Sequence, residues 1–192
     1  MKNEIRNILK DSIRVKELLI KTRLDSITAA AKAISSSLKK GKKVILFGNG
    51  GSFADSLHIA AELLGRYKLN REPLPVIVLG SNLSALTAIS NDFGYEYSFS
   101  KEMKAFGQKG DVAIAISTSG CSKNVNNAAK EAKKLGVKVI GLTGGNGGEL
   151  SRIADIPIVV PSKDTPRIQE SHIAIGHAIC EVVEKDIFKH DK

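Results

Sequence analysis

The chain has 192 residues, 42% of them apolar, and a formal net charge of +9; that length and composition suit one domain with a filled core. No run approaches the ~18 apolar residues of a membrane span, and the N-terminus MKNEIRNILKD lacks the apolar stretch of a signal peptide, so a soluble cytoplasmic protein is expected. The charge is concentrated: residues 1–43 hold twelve Lys or Arg against four Asp or Glu, and with no Phe, Tyr or Trp there to stack on bases they read as a solvated helix face rather than a nucleic-acid site.

In chain order, Ile5, Leu9, Val15, Leu18 and Leu19 fall on a helical period. Ile27, Ala31, Ile34 and Leu38 repeat it after an interruption near Asp25, which predicts two amphipathic N-terminal helices. An apolar stripe on helices of this kind needs a cover, either the rest of the domain or another copy of the chain. After Gly41 the texture changes to short apolar runs at 44–47, 76–79, 112–116, 137–142 and 156–160. They are nearly continuous rather than alternating, as strands covered on both faces are. Helical segments are predicted between them at 54–64, 83–90, 97–106, 125–135 and 149–154, with a longer one over 167–187. The alternation predicts a doubly wound α/β domain on a five-stranded parallel sheet, whose ligands bind at the carboxyl ends of the strands.

Polar residues gather at those ends. The first strand runs into Gly48, Asn49, Gly50, Gly51 and Ser52, where a helix N-terminus favours an anion. The third runs into Ser117-Thr118-Ser119-Gly120-Cys121-Ser122, four hydroxyls within six residues, a set suited to a phosphate monoester. The fourth runs into Thr143 and a glycine-rich stretch to Gly148. Any one of these serines or glycines could merely shape a turn or cap a helix; the whole set is harder to explain that way. Neither the P-loop spacing nor G-x-G-x-x-G is present, and Gly80-Ser81-Asn82 supplies no acidic residue for a ribose, which excludes the common nucleotide sites. No G-x-S-x-G surrounds Ser119, and Cys121 and Cys180 form neither a C-x-x-C pattern nor a disulfide framework.

His58 and Glu62 stand four apart on one predicted helix face. Gln169 and His177 stand eight apart on another, about 80° around the axis. Singly such residues are often surface pairs; together they make an N/O set able to hold a borderline divalent metal or to move protons.

GNGGS followed by H-x-x-x-E-L-x-G-R, SNDFGYE at 90–96, GDVAIAISTSG at 110–120 and TPRIQESHIAIGH at 165–177 resemble, in this order, the phosphoheptose isomerase family of the sugar isomerase (SIS) fold. The resemblance spans essentially the whole chain and implies one SIS domain over 1–192, with helices 1–43 packing in an oligomer and the α/β core over 44–192. It implies an aldose–ketose isomerase converting sedoheptulose 7-phosphate to D-glycero-D-manno-heptose 7-phosphate through an enediol, the entry to ADP- or GDP-heptose synthesis. Glu62 would be the base and His177 the acid, while His58, Glu62, Gln169 and His177 would bind one Zn2+ per subunit. Ser52, Ser117, Thr118, Ser119 and Ser122 would hold the phosphate, with Asn49, Gly50 and Gly51 lining the substrate and Glu62 and Gln169 touching it. Asn91 and Asp92 would reach sugar hydroxyls, and Arg66 would serve the site of a neighbouring subunit in a homotetramer. Cys121 stands where asparagine is common. Two rivals share the fold: a sugar-phosphate isomerase for another substrate, and a partner-binding protein of the DnaA initiator-associating type, which lacks the equivalents of Glu62 and His177.

Overall fold

A computed structural model describes residues 1–188. The elements run α1 (Lys2–Leu38), β1 (Val44–Gly48), α2 (Gly51–Leu64), β2 (Val76–Val78) and α3 (Leu83–Phe93). A 3-10 turn (Tyr95–Tyr97) leads to α4 (Ser98–Phe106), β3 (Val112–Ile116), α5 (Lys123–Lys134), β4 (Lys138–Gly144), α6 (Leu150–Ile153), β5 (Ile156–Val160) and α7 (Thr165–Phe188). The five strands form one wholly parallel sheet in the order β2-β1-β3-β4-β5.

The near-continuous apolar runs have the predicted cause. Every residue of β1 and β3 is buried, because helices cover both faces of the sheet. Val44, Leu46, Val112 and Ile114 point into a core shared with α1, α2 and α7. Ile45, Phe47, Ala113 and Ala115 point into a second core under α4, α5 and α6. Successive strand residues alternate between the two layers, as the pleat requires.

The N-terminal region departs from expectation: it is one helix of 37 residues, not two. Nothing between Lys2 and Leu38 is Gly or Pro, and Asp25 costs a helix only a fraction of a kcal/mol, about 0.7 relative to Ala. The interruption in the apolar period is a change of partner instead. Ala30, Ala31, Ile34 and Leu38 enter the core, whereas Ile5, Leu9, Ile13, Ile20 and Leu24 remain more than half exposed. Side-chain bonds tie α1 down across the chain, with Ser12 Oγ donating to Glu170 at 2.7 Å and Arg23 Nε to the Val159 carbonyl at 3.0 Å. Among the described residues no helix is long and apolar enough to cross a membrane.

Candidate functional site

β1 ends at Gly48 beside Ile116 of β3: a Cβ built on Gly48 would lie 2.9 Å from the Ile116 carbonyl and 2.9 Å from Ser52 Cβ. Only glycine lets the start of α2 lie so close to the end of β3, and this approach brings Ser52 alongside the Ser117 loop. Gly50 makes the turn with φ of +53°. The Ser52 and Phe53 N–H groups donate back to the Asn49 and Gly50 carbonyls at 3.0 Å. The groups this helix end can offer an anion are therefore the N–H groups of Gly50 and Gly51 and the Ser52 hydroxyl.

The second hydroxyl cluster is positioned by its own bonds. Ser117 Oγ and Ser122 Oγ lie 3.0 Å apart, and Ser119 Oγ accepts the Cys121 N–H at 3.2 Å. Ser122 is the N-cap of α5 yet makes no capping bond with its side chain, so its hydroxyl and the positive end of the helix face the same loop. Thr118 is half-buried and its carbonyl accepts the Gly144 N–H at 3.0 Å, which locks this loop to the end of β4. The Cys121 thiol is exposed and donates to the Ser119 carbonyl at 3.4 Å.

The reactive set comes together from two helices. His58 Nε2 is 3.1 Å from Glu62 Oε1 and 3.2 Å from Nε2 of His177, which arrives on α7. The ligand atoms of all three lie within 4.8 Å of one another, and the Tyr67 ring packs on His177 with centroids 5.8 Å apart. Two imidazole nitrogens and a carboxylate oxygen are the donors a borderline divalent ion takes. Ligand atoms about 2.0–2.1 Å from a tetrahedral zinc stand roughly 3.3 Å from each other, close to the two separations here. The residues thus fit a metal.

Gln169 lies on α7 beside the start of α2. Its amide lies over Gly51, where a Cβ would stand 2.5 Å from Nε2, and no hydrogen bond joins it to the three-residue group. It borders the anion end of α2 instead. Asn49 is also engaged: its amide exchanges two 2.9 Å bonds with that of Asn124 and its Oδ1 accepts the Tyr95 hydroxyl at 2.8 Å. Together Gly48, Asn49, Gly50, Phe53 and Tyr95 line a cleft of about 120 Å³. Asn91 and Asp92 are exposed near the end of α3, bonded to each other at 2.9 Å. Arg66 is exposed just past α2 and bonds nothing among the described residues.

Two features escape a reading of the sequence. Asp55, one turn before His58, has a buried Oδ2 with no partner among the described residues; burial pushes its carboxyl pKa up while His58 draws it down, with a net rise. Arg71 and Glu184 form a nearly solvent-free ion pair behind the reactive set. They are 113 residues apart, and no local pattern announces such a pair.

The chain is similar to known proteins over nearly its whole length. Residues 9–144 match the model of the SIS domain family. The phosphoheptose isomerase of Clostridium acetobutylicum is 48% identical over 190 residues, covering 98% of this chain and 97% of that protein. That of Campylobacter concisus is 54% identical over 162 residues, covering 84% and 86%. The solved phosphoheptose isomerase of Neisseria gonorrhoeae superposes with a TM-score of 0.90 at 38% identity, covering 96% of this chain and 98% of that one.

Proposed function

The chain belongs to the phosphoheptose isomerase family, and from that premise we propose how its reaction, the conversion of sedoheptulose 7-phosphate to D-glycero-D-manno-heptose 7-phosphate, runs on these residues. The Glu62 carboxylate takes a proton from C1 of the ketose while His177 gives one to the C2 oxygen, leaving the enediol. Glu62 then returns its proton to C2 and His177 removes the proton of the C1 hydroxyl, so that C1 becomes the carbonyl. No proton is gained or lost overall, and each residue ends as it began. The observation that carries the assignment is the convergence of Glu62 and His177, from separate helices, on His58. Glu62 engages His58 through Oε1, which leaves Oε2 for the substrate.

The phosphate is held by Ser52, Ser117, Thr118, Ser119 and Ser122 and by the N-terminal ends of α2 and α5, with Asn49, Gly50 and Gly51 along the sugar and Asn91 and Asp92 at its hydroxyls. Placing the phosphate at the strand ends fixes the far end of the sugar, so that C1 and C2 are presented to Glu62 and His177. His58, Glu62, Gln169 and His177 would hold zinc, which when bound supplies Lewis acidity to the enediolate oxygens. The whole chain acts as one SIS domain, as a cytoplasmic homotetramer in which Arg66 reaches the site of a neighbouring subunit. The exposed stripe of α1 supports this assembly. A partner-binding role without catalysis is not favoured, since Glu62 and His177 are both present and adjoin.

The test is turnover of sedoheptulose 7-phosphate by the purified protein, with bound metal measured by elemental analysis before and after chelation. Glu62→Gln and His177→Ala are each expected to lower kcat by about 10²–10⁴-fold. Full activity in either removes its catalytic role; an active protein without metal, insensitive to chelators, removes the zinc.

A further inference from the structure

Glu62 lies in the last turn of α2, which ends at Leu64. The final carbonyls of a helix have no partners within it, and such ends fray. α2 itself carries no basic residue in that turn. Arg71, beyond the helix, satisfies those carbonyls. Its Nη2 donates to the carbonyl of Glu62 at 2.8 Å, and its Nη1 to those of Leu63 at 2.8 Å and Gly65 at 3.0 Å. Its Nε donates to Glu184 Oε1 at 3.0 Å. The same carboxylate accepts the N–H groups of Tyr67, Lys68 and Leu69 at 2.9–3.1 Å.

Glu184 stands on α7 seven positions after His177, two turns along nearly the same face. One ion pair therefore joins the backbone of Glu62 to the helix of His177, and it also holds Tyr67, whose ring packs on His177. The Arg71 and Glu184 side chains are 2% and 1% exposed. A buried ion pair is a poor stabiliser beside apolar side chains of the same volume; what it supplies is direction. We propose that Arg71 and Glu184 are positioning residues for the isomerase site, setting the separation of Glu62 and His177 by clamping the end of α2 to α7. The proposal rests on the roles assigned above to Glu62 and His177.

Arg71→Lys keeps the charge and loses the fork; Glu184→Gln keeps the shape, loses the charge, and turns an NH2 donor toward two of the N–H groups the carboxylate accepts. Each is compared with Val139→Ala, a core change in the layer on the opposite side of the sheet, at matched loss of melting temperature. Both clamp variants are expected to lower kcat by about tenfold or more while KM stays within about threefold, because the phosphate loops are untouched. A second readout needs no turnover. Co2+ titrated into the metal-free protein and followed by visible absorption is expected to bind about tenfold more weakly in both clamp variants than in the parent. A loss in either readout beyond that of Val139→Ala supports positioning, and a loss in neither overturns it. Should the parent leave sedoheptulose 7-phosphate unchanged, the activity reading fails by itself and Co2+ binding decides the clamp.

Discussion

His172 illustrates how a single residue type takes opposite roles by placement. It lies three residues after Gln169 on α7 but faces the sheet, fully buried, with Nε2 3.1 Å from the Thr143 carbonyl and Nδ1 without a partner among the described residues. Neutral imidazole with the proton on Nε2 satisfies that carbonyl, and burial pushes the pKa down to about 4 despite the bond. His58 instead is exposed and His177 half-buried, and their Nε2 atoms face each other at 3.2 Å. The pH consequence follows from the direction of the shift. Between its unfolded value near 6.5 and about 4, the unfolded chain binds a proton that the folded chain refuses, so stability falls as pH falls through that window. The loss is on the order of 3 kcal/mol at one proton over roughly two and a half units. Urea unfolding at pH 7.5 and pH 4.5 should show His172→Gln losing less stability on acidification than the parent by about that amount. Equal losses in the two proteins would mean that His172 is not held neutral by the fold.

Elements are more legible in the sequence than their ends, and the reasons are physical. All five strands stand out as apolar runs because both faces of the sheet are covered. The pairings of His58 with Glu62 and of Gln169 with His177 are legible as helical spacings, while the meeting of the two helices is not, since it depends on α7 crossing back over α2. Gln169 lying on Gly51, Asn49 tied to Asn124 and the Arg71–Glu184 clamp are likewise tertiary facts with no local period. The unbroken α1 reads as two helices because burial changes midway along it, and a loss of apolar period looks the same in sequence as a break. Asp25→Pro separates the two pictures, because residue 25 is exposed and only its backbone is at stake. In a continuous helix the ring removes one hydrogen bond and clashes with the preceding turn, at about 3 kcal/mol. A melt followed by circular dichroism should then shift down by roughly 6–12 °C. An unchanged midpoint would mean the helix is already interrupted there.

At the scale of the whole molecule, the odd feature is how much apolar surface α1 leaves in water. Ile5, Leu9, Ile13, Ile20 and Leu24 are between 52% and 62% exposed, and their spacing puts them on one stripe. The stripe runs to a groove of about 310 Å³ between α1 and α7, lined by Leu24, Ile27, Ala31, Ile179 and Val182. A contiguous apolar face of this kind marks an interaction surface. In the proposed homotetramer the cover is another copy of the chain, which would also bring Arg66, unbonded among the described residues, to a neighbouring site. Full burial of each Leu or Ile is worth about 1.5–3 kcal/mol, and replacing two with carboxylates costs the interface more than that gain. The double variant Leu9→Glu, Ile13→Glu should therefore lower the mass measured by size-exclusion chromatography with light scattering from tetramer toward monomer. Because both residues are exposed on the subunit, its circular dichroism should be unchanged. Turnover should fall with the mass, since a dispersed subunit lacks its neighbour's arginine. A parent protein that is monomeric and fully active would remove both the assembly and the shared site; a double variant that stays tetrameric would move the interface to another face of the subunit.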